Sequence, residues 1–153
     1  DRARHYVDRA LALDPNNAWA WTRHGFLLAY RGQPEAAQKS FEKALTLSPL
    51  DPFSFNGFIG MGFAKFAAGR PVEAVEWAQR AIREKAGMTW AYRDLAAFHG
   101  AAGDIPAARE ALDKFVSVRP DVTLSGLADA LRFMEAGTLS RYLDGLRAAG
   151  LRD

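Results

Sequence analysis

Residues 18–51 read AWAWTRHGFLLAYRGQPEAAQKSFEKALTLSPLD, and this stretch decides the fold. Trp21, Gly25 and Leu28 fall at offsets of four and three, and so do Ala37, Phe41 and Ala44. Such offsets line side chains up on one helix face. Between the two patterns, Gly32 stands where a glycine ends a helix. Pro34 follows in the first turn of the next helix, where a missing N–H costs nothing. The stretch therefore reads as two helices joined by a tight turn. A bulky residue followed four positions later by a small one, as at Trp21 and Gly25, lets two helices approach closely.

The pattern repeats outward. YRGQPEAA returns as AAGRPVEAV and again as AAGDIPAAR, with Gly32, Gly69 and Gly103 spaced by 37 and then 34 residues. The second unit carries Phe58 and Gly62, then Ala74, Ala78 and Ala81; the third carries Tyr92 and Ala96, then Ala108, Leu112 and Phe115. Upstream, Ala3, Val7, Ala10 and Pro15 fit the second half of a further unit. Asp14-Pro15-Asn16-Asn17 reads as a turn between units. Ser48-Pro49-Leu50-Asp51-Pro52 holds the extra residues behind the longer spacing and is expected to change the angle between its neighbours.

These residues resemble the signature of the tetratricopeptide-repeat family: Trp-x2-Leu-Gly-x2-Tyr, then Ala-x3-Phe-x2-Ala, then Pro. The first full unit matches at Trp21, Gly25, Ala37, Phe41, Ala44 and Pro49, with His24 in place of the leucine. The second lacks the closing proline and ends in EKAGM, whereas the third keeps Pro120. The resemblance implies an all-α, right-handed superhelix of antiparallel helix pairs, because neither helix of a pair can bury its apolar stripe alone. The expected organisation is a single domain of about nine helices. Residues 1–17 are the second helix of a truncated repeat; 18–54, 55–88 and 89–122 are three repeats; 123–153 are capping helices. Within the cap, one helix is expected over Thr123 to Glu135, with Leu127, Leu131 and Met134 inward. A second is expected over Thr138 to Ala149, with Leu139, Tyr142, Leu143 and Leu146 inward and Gly137 separating the two. An array needs such a cap to close its last apolar face. Because the chain starts inside a repeat, it is expected to be a piece of a longer protein.

LSPLDPFSFNGFIGMGFAKFAAGRPVEAVEWAQRAI at 47–82 and SRYLDGLRAAGL at 140–151 resemble a narrower group. They look like C-terminal tetratricopeptide regions of bacterial signalling proteins that carry a class III adenylate cyclase or a winged-helix regulator. The resemblance implies a cytoplasmic regulatory module fused to an output domain.

Composition narrows the chemistry. A net charge of +2, with no block of five basic residues, does not suit nucleic acid. No apolar run reaches the 18 residues of a membrane span. Cysteine is absent, which excludes disulfides and thiolate metal sites. His5, His24 and His99 do not pair at helical spacing, so no metal site is expected. No serine sits in a nucleophile elbow. Gly57-Phe58-Ile59-Gly60-Met61-Gly62 is not a dinucleotide fingerprint and reads as helix packing. Carboxylates such as Glu110 and Asp113 read as a solvated helix face. No catalytic residue and no cofactor is expected.

The family resemblance points to the concave groove, which first helices line with unit positions 2, 5, 9 and 12. Those are Trp19, Thr22, Phe26 and Ala29; Asn56, Ile59, Phe63 and Phe66; and Trp90, Arg93, Ala97 and Gly100. From these, Trp19, Phe26, Asn56, Phe63, Trp90 and Arg93 are the expected surface for a protein or peptide partner. Aromatic residues beside a few polar groups suit such a groove. Some family members clamp a C-terminal carboxylate at set groove positions, but Thr22 and Phe26 stand at two of them here, so that specificity is not expected. Two functions follow. One is an interaction module that binds a peptide or helix, or self-associates, and so biases an output domain. The other is architectural, a spacer or dimerisation unit whose groove is filled by further repeats or by the C-terminal cap.

Overall fold

The computed structural model describes residues 2–153, and every regular element among them is helical. The order is α1 (Arg2–Leu13), α2 (Ala18–Tyr30), α3 (Pro34–Leu47), α4 (Ser54–Ala67), α5 (Pro71–Glu84), α6 (Thr89–Ala102), α7 (Ile105–Val116), α8 (Leu124–Ala130) and α9 (Ala136–Ala149). Among the described residues no helix is long and apolar enough to cross a membrane.

One device builds all three central pairs. Gly32, Gly69 and Gly103 have φ of +69°, +77° and +85°, a conformation only glycine adopts without strain. In each case the glycine N–H and the next N–H turn back onto the last helical carbonyls. The bonds that reach furthest back along the chain are Gln33 to Leu28, Arg70 to Lys65 and Asp104 to His99, each of 2.9 or 3.0 Å. A proline then sits in the first turn of α3, α5 and α7. Chain reversal is thus written locally, and α2 packs on α3, α4 on α5 and α6 on α7.

Large and small residues interlock between pairs. The Phe41 ring, wholly buried, fills the space beside Gly25 and Gly60. A Cβ on Gly25 would stand 2.7 Å from that ring, and one on Gly60 would collide with it. Removing a phenylalanine ring from water contributes roughly 1.5–3 kcal/mol, and here the two glycines make the room. Ala37, Ala74, Ala78, Ala81 and Ala108 on the second helices are all buried, where their small size sets the helix separation. By contrast α1 packs on α2, has no buried residue among those described and leaves Tyr6 and Leu13 exposed.

The C-terminal region departs from expectation. The helix expected over Thr123 to Glu135 stops at Ala130, and Leu131 to Met134 form turns. Leu127, Leu131 and Met134 are nevertheless buried. Gly137 does not separate two helices: α9 begins at Ala136, and Glu135 is its N-cap. The Glu135 carboxylate accepts the N–H groups of Gly137 and Thr138, both at 2.7 Å, and these bonds hold its pKa below the ordinary range. A negative cap at a helix N-terminus outweighs the poor propensity of Gly137.

From there α9 runs across the first helices. The Glu135 N–H donates to the Tyr30 carbonyl at the end of α2, at 2.7 Å. Arg141 donates to the Ala67 carbonyl at the end of α4, at 3.0 Å. Gly145 lies against Ala97 and Gly100 of α6, with no room for a side chain on either glycine. Past α9 the chain returns to α8, where Leu124 N–H meets the Arg152 carbonyl and Ser125 N–H meets Asp153. The cap is therefore not simply stacked beyond the last repeat. It packs a helix along α6 and against α7, and hydrogen bonds tie that helix to the ends of α2 and α4.

Candidate functional site

The placement of α9 divides the expected groove. Ala29, Ile59, Phe66 and Ala97, all expected to face a ligand, are buried. Phe66 packs on Phe98 and on Tyr142 of α9, with ring centroids 5.0 and 6.0 Å away. Thr22 is buried too, and its hydroxyl donates to the Ala18 carbonyl of its own helix. What stays open is a cleft of about 230 Å³. It gathers Phe26, Asn56, Phe63, Trp90 and Arg93 from the three first helices.

Trp19, the remaining expected residue, is not in that cleft. It is half exposed and packs edge-on against Phe53, whose ring is also half exposed, at 6.3 Å between centroids. With Asp51 they line a shallow, mostly apolar hollow next along α2. Phe63 needs a different correction. It was expected on the surface for a partner, yet it is 3% exposed and touches Tyr30, Phe66, Phe98 and Tyr142. It forms the floor of the cleft and part of the core at once.

Arg93 also has an internal task. Its guanidinium donates to Asp94 at 3.0 Å and to the Tyr142 hydroxyl at 2.8 Å, and that hydroxyl in turn donates to Asp94. Asp94 is 6% exposed and Tyr142 is wholly buried, so Arg93 at the cleft wall ties α6 to α9 through two buried partners. Tyr142 and Asp94 hold the Arg93 pKa above its ordinary range, against the opposing pull of burial. Burial first, then Asp94, raise the phenol pKa of Tyr142, so its hydroxyl stays protonated. Arg93 was expected on the surface for a partner; Asp94 and Tyr142 already engage its guanidinium.

Four lining residues were not among the groove positions named from sequence: Arg23, Tyr30, Asp94 and Met134. Met134 arrives from the turn before α9, a long-range contact without local signal. Asp94 carried a signal, being a carboxylate on the most apolar face of its helix. Arg23 sits one position beyond Thr22, outside the usual groove positions. Its guanidinium carbon lies 4.0 Å from the Trp19 ring centroid and 5.5 Å from that of Phe26. Its Nε is shielded from solvent and has no hydrogen-bond partner among the described residues. Burial lowers its pKa, and no carboxylate offsets this. Tyr30 is pushed up to about 12 by burial and then by Asp94, so it stays a neutral donor.

The remaining sequence candidates have structural roles. His24 Nδ1 lies 2.9 Å from Ser40 Oγ, between α2 and α3. His99 is buried 3.7 Å from Asp104. No group of three metal-ligating side chains gathers among the described residues. Gly57, Gly60 and Gly62 lie in α4, facing Leu45, Phe41 and the Ala74 carbonyl. Glu110 pairs with Lys114 at 2.8 Å on an exposed face.

Comparison with known proteins agrees with this geometry. A tetratricopeptide-repeat family model matches residues 6–39. Among solved structures, the chain is similar to PilW, a widely conserved type IV pilus biogenesis factor, with a TM-score of 0.72 and 22% identity. That match covers 93% of this chain and 66% of PilW, so the chain spans just under two thirds of that protein. It is also similar to MamA, with a TM-score of 0.64 and 25% identity over 94% of this chain and 82% of MamA. A second MamA structure gives 0.62 and 24% identity over 93% and 78%. No curated protein matches in sequence. The chain has the tetratricopeptide-repeat fold, a helical repeat superhelix.

Proposed function

We propose that this chain is a protein-interaction module that catalyses nothing itself and takes a segment of a partner protein into the cleft between α2, α4 and α6. The observation that carries this reading is convergence. Five residues at groove positions, from three repeats, line one open cleft, while α9 covers the groove at Phe66, Ala97 and Gly100. Aromatic and arginine side chains of this kind supply most of the energy at protein interfaces. The cleft is small, so an extended strand or a few anchoring side chains suit it better than a whole helix. The resemblance to bacterial signalling proteins supports a further step, in which this binding biases an output domain in the cytoplasm.

The test is capture of partners from the source cell by the wild-type chain and by Trp90→Ala with Asn56→Arg. Trp90 is 37% exposed and Asn56 half-buried, so both changes should leave the fold intact. Loss of a specific partner with the variant is the expected result. Equal recovery by both proteins contradicts the reading and favours an architectural role, for which the observation is that α9 already fills much of the groove.

A further inference from the structure

We infer that the anchoring group of the partner is an acidic side chain, aspartate or glutamate, received by Arg23 and followed in the same extended segment by an apolar side chain that packs on Trp19 and Phe53. This rests on the cleft reading above and adds the chemistry of its ligand.

Charge is the first ground. Arg23, Arg93 and Asp94 are the ionised groups lining the cleft, and Asp94 is consumed by Arg93 and Tyr142. Arg23 therefore leaves one positive charge uncompensated beside apolar walls. Partial removal from water weakens its hydration, and no carboxylate among the described residues replaces what is lost. An incoming carboxylate would do so, with charge-assisted bonds to the terminal guanidinium nitrogens, since Nε is already shielded.

Orientation is the second ground. The guanidinium is held against the Trp19 ring and near Phe26, so the donor fork is set before a ligand arrives. The third ground is adjacency. Trp19 touches both Arg23 and Phe53, and the Trp19–Phe53 hollow is mostly apolar, with Asp51 in its lining. One ligand can thus satisfy the charge and cover the exposed rings. Asn56, whose amide donates to the Phe53 carbonyl at 3.3 Å, joins the two halves of the surface.

The experiment uses random 12-residue peptides displayed on phage. They are selected on the purified wild-type chain after depletion on the Trp90→Ala, Asn56→Arg protein. Selected peptides are resynthesised, and each acidic residue is changed to its amide. Affinities are measured by calorimetry for the wild-type, Arg23→Met and Arg23→Lys chains. Enrichment of an acidic residue beside an apolar one is expected. Acid-to-amide change should weaken binding to wild type about tenfold or more and leave binding to Arg23→Met almost unchanged, with Arg23→Lys between. Circular dichroism confirms that each variant is folded. Cleft-dependent peptides that lack an acid, or an acid-to-amide loss of the same size in wild type and Arg23→Met, overturn the inference while leaving the cleft reading standing. Failure to select any cleft-dependent peptide overturns both.

Discussion

Gly100 of α6 and Gly145 of α9 meet backbone to backbone. A Cβ on Gly100 would run into the Gly145 carbonyl, and a Cβ on Gly145 into the Ala97 carbonyl. No side-chain rotation relieves either contact. Alanine normally gains about 1 kcal/mol over glycine inside a helix. Here overpacking opposes it, and Gly145→Ala should destabilise the chain by about 1–3 kcal/mol net. Gly87 has no atom within 4 Å of its Cβ position and a φ outside the left-handed region, so Gly87→Ala should be neutral or slightly stabilising. Thermal unfolding of the two variants checks the sign of each.

Ala81 is wholly buried and Ala44 nearly so, both on second helices. Arginine at either position must bury a charge or force apart packed helices. Destabilisation on the order of 3 kcal/mol or more is expected in urea unfolding. An unchanged midpoint would mean that these faces are not in the core.

The Arg93–Asp94–Tyr142 trio orders three further variants. Tyr142→Phe removes one hydroxyl and leaves the ion pair, and should cost about 1–3 kcal/mol. Arg93→Ala leaves a buried aspartate without its cation and should cost more, about 3–5 kcal/mol. Arg93→Ala with Asp94→Asn should recover part of that loss. Equilibrium unfolding of the set gives the order. For the same reason Phe63→Ala and Arg93→Ala are poor probes of partner binding, since each also loosens α9.

Histidine provides a pH test. Burial lowers the pKa of His99, and this outweighs the nearby Asp104. The unfolded chain therefore binds a proton more readily than the folded one. The stabilising contribution is present above the unfolded value of about 6.5 and is lost as pH falls from there through the folded value. Stability should decline as pH falls below about 6.5, and His99→Gln should flatten that decline. Urea midpoints across this range measure it.

The repeats were legible because their determinants are local. Gly32, Gly69 and Gly103 mark reversals that three neighbouring residues complete, and the alanine spacing marks which face is buried. The end of the chain was not legible in the same way. Leu131 and Met134 continue an apolar period, so the periodicity alone extends the helix through residues that form turns. Glu135 caps α9 while its own N–H is held by Tyr30, far away in sequence. The site was half legible. Groove positions named Phe26, Asn56, Phe63, Trp90 and Arg93, and these five line one cleft. They could not reveal that α9 covers Phe66 and Ala97, or that Asp94 pairs with Arg93 while Arg23 of the same cleft has no carboxylate partner among the described residues.

The central claim is that a partner binds beside α9 and not in its place. Amide hydrogen exchange, followed with and without a cleft-selected peptide, tests it most directly. In the free chain, α9 should exchange as slowly as α4 and α6, and far more slowly than α1. With the peptide bound, α9 should stay protected while new protection appears in α2 and at the starts of α4 and α6. Loss of protection in α9 on binding would mean that the peptide displaces it, and would contradict the account.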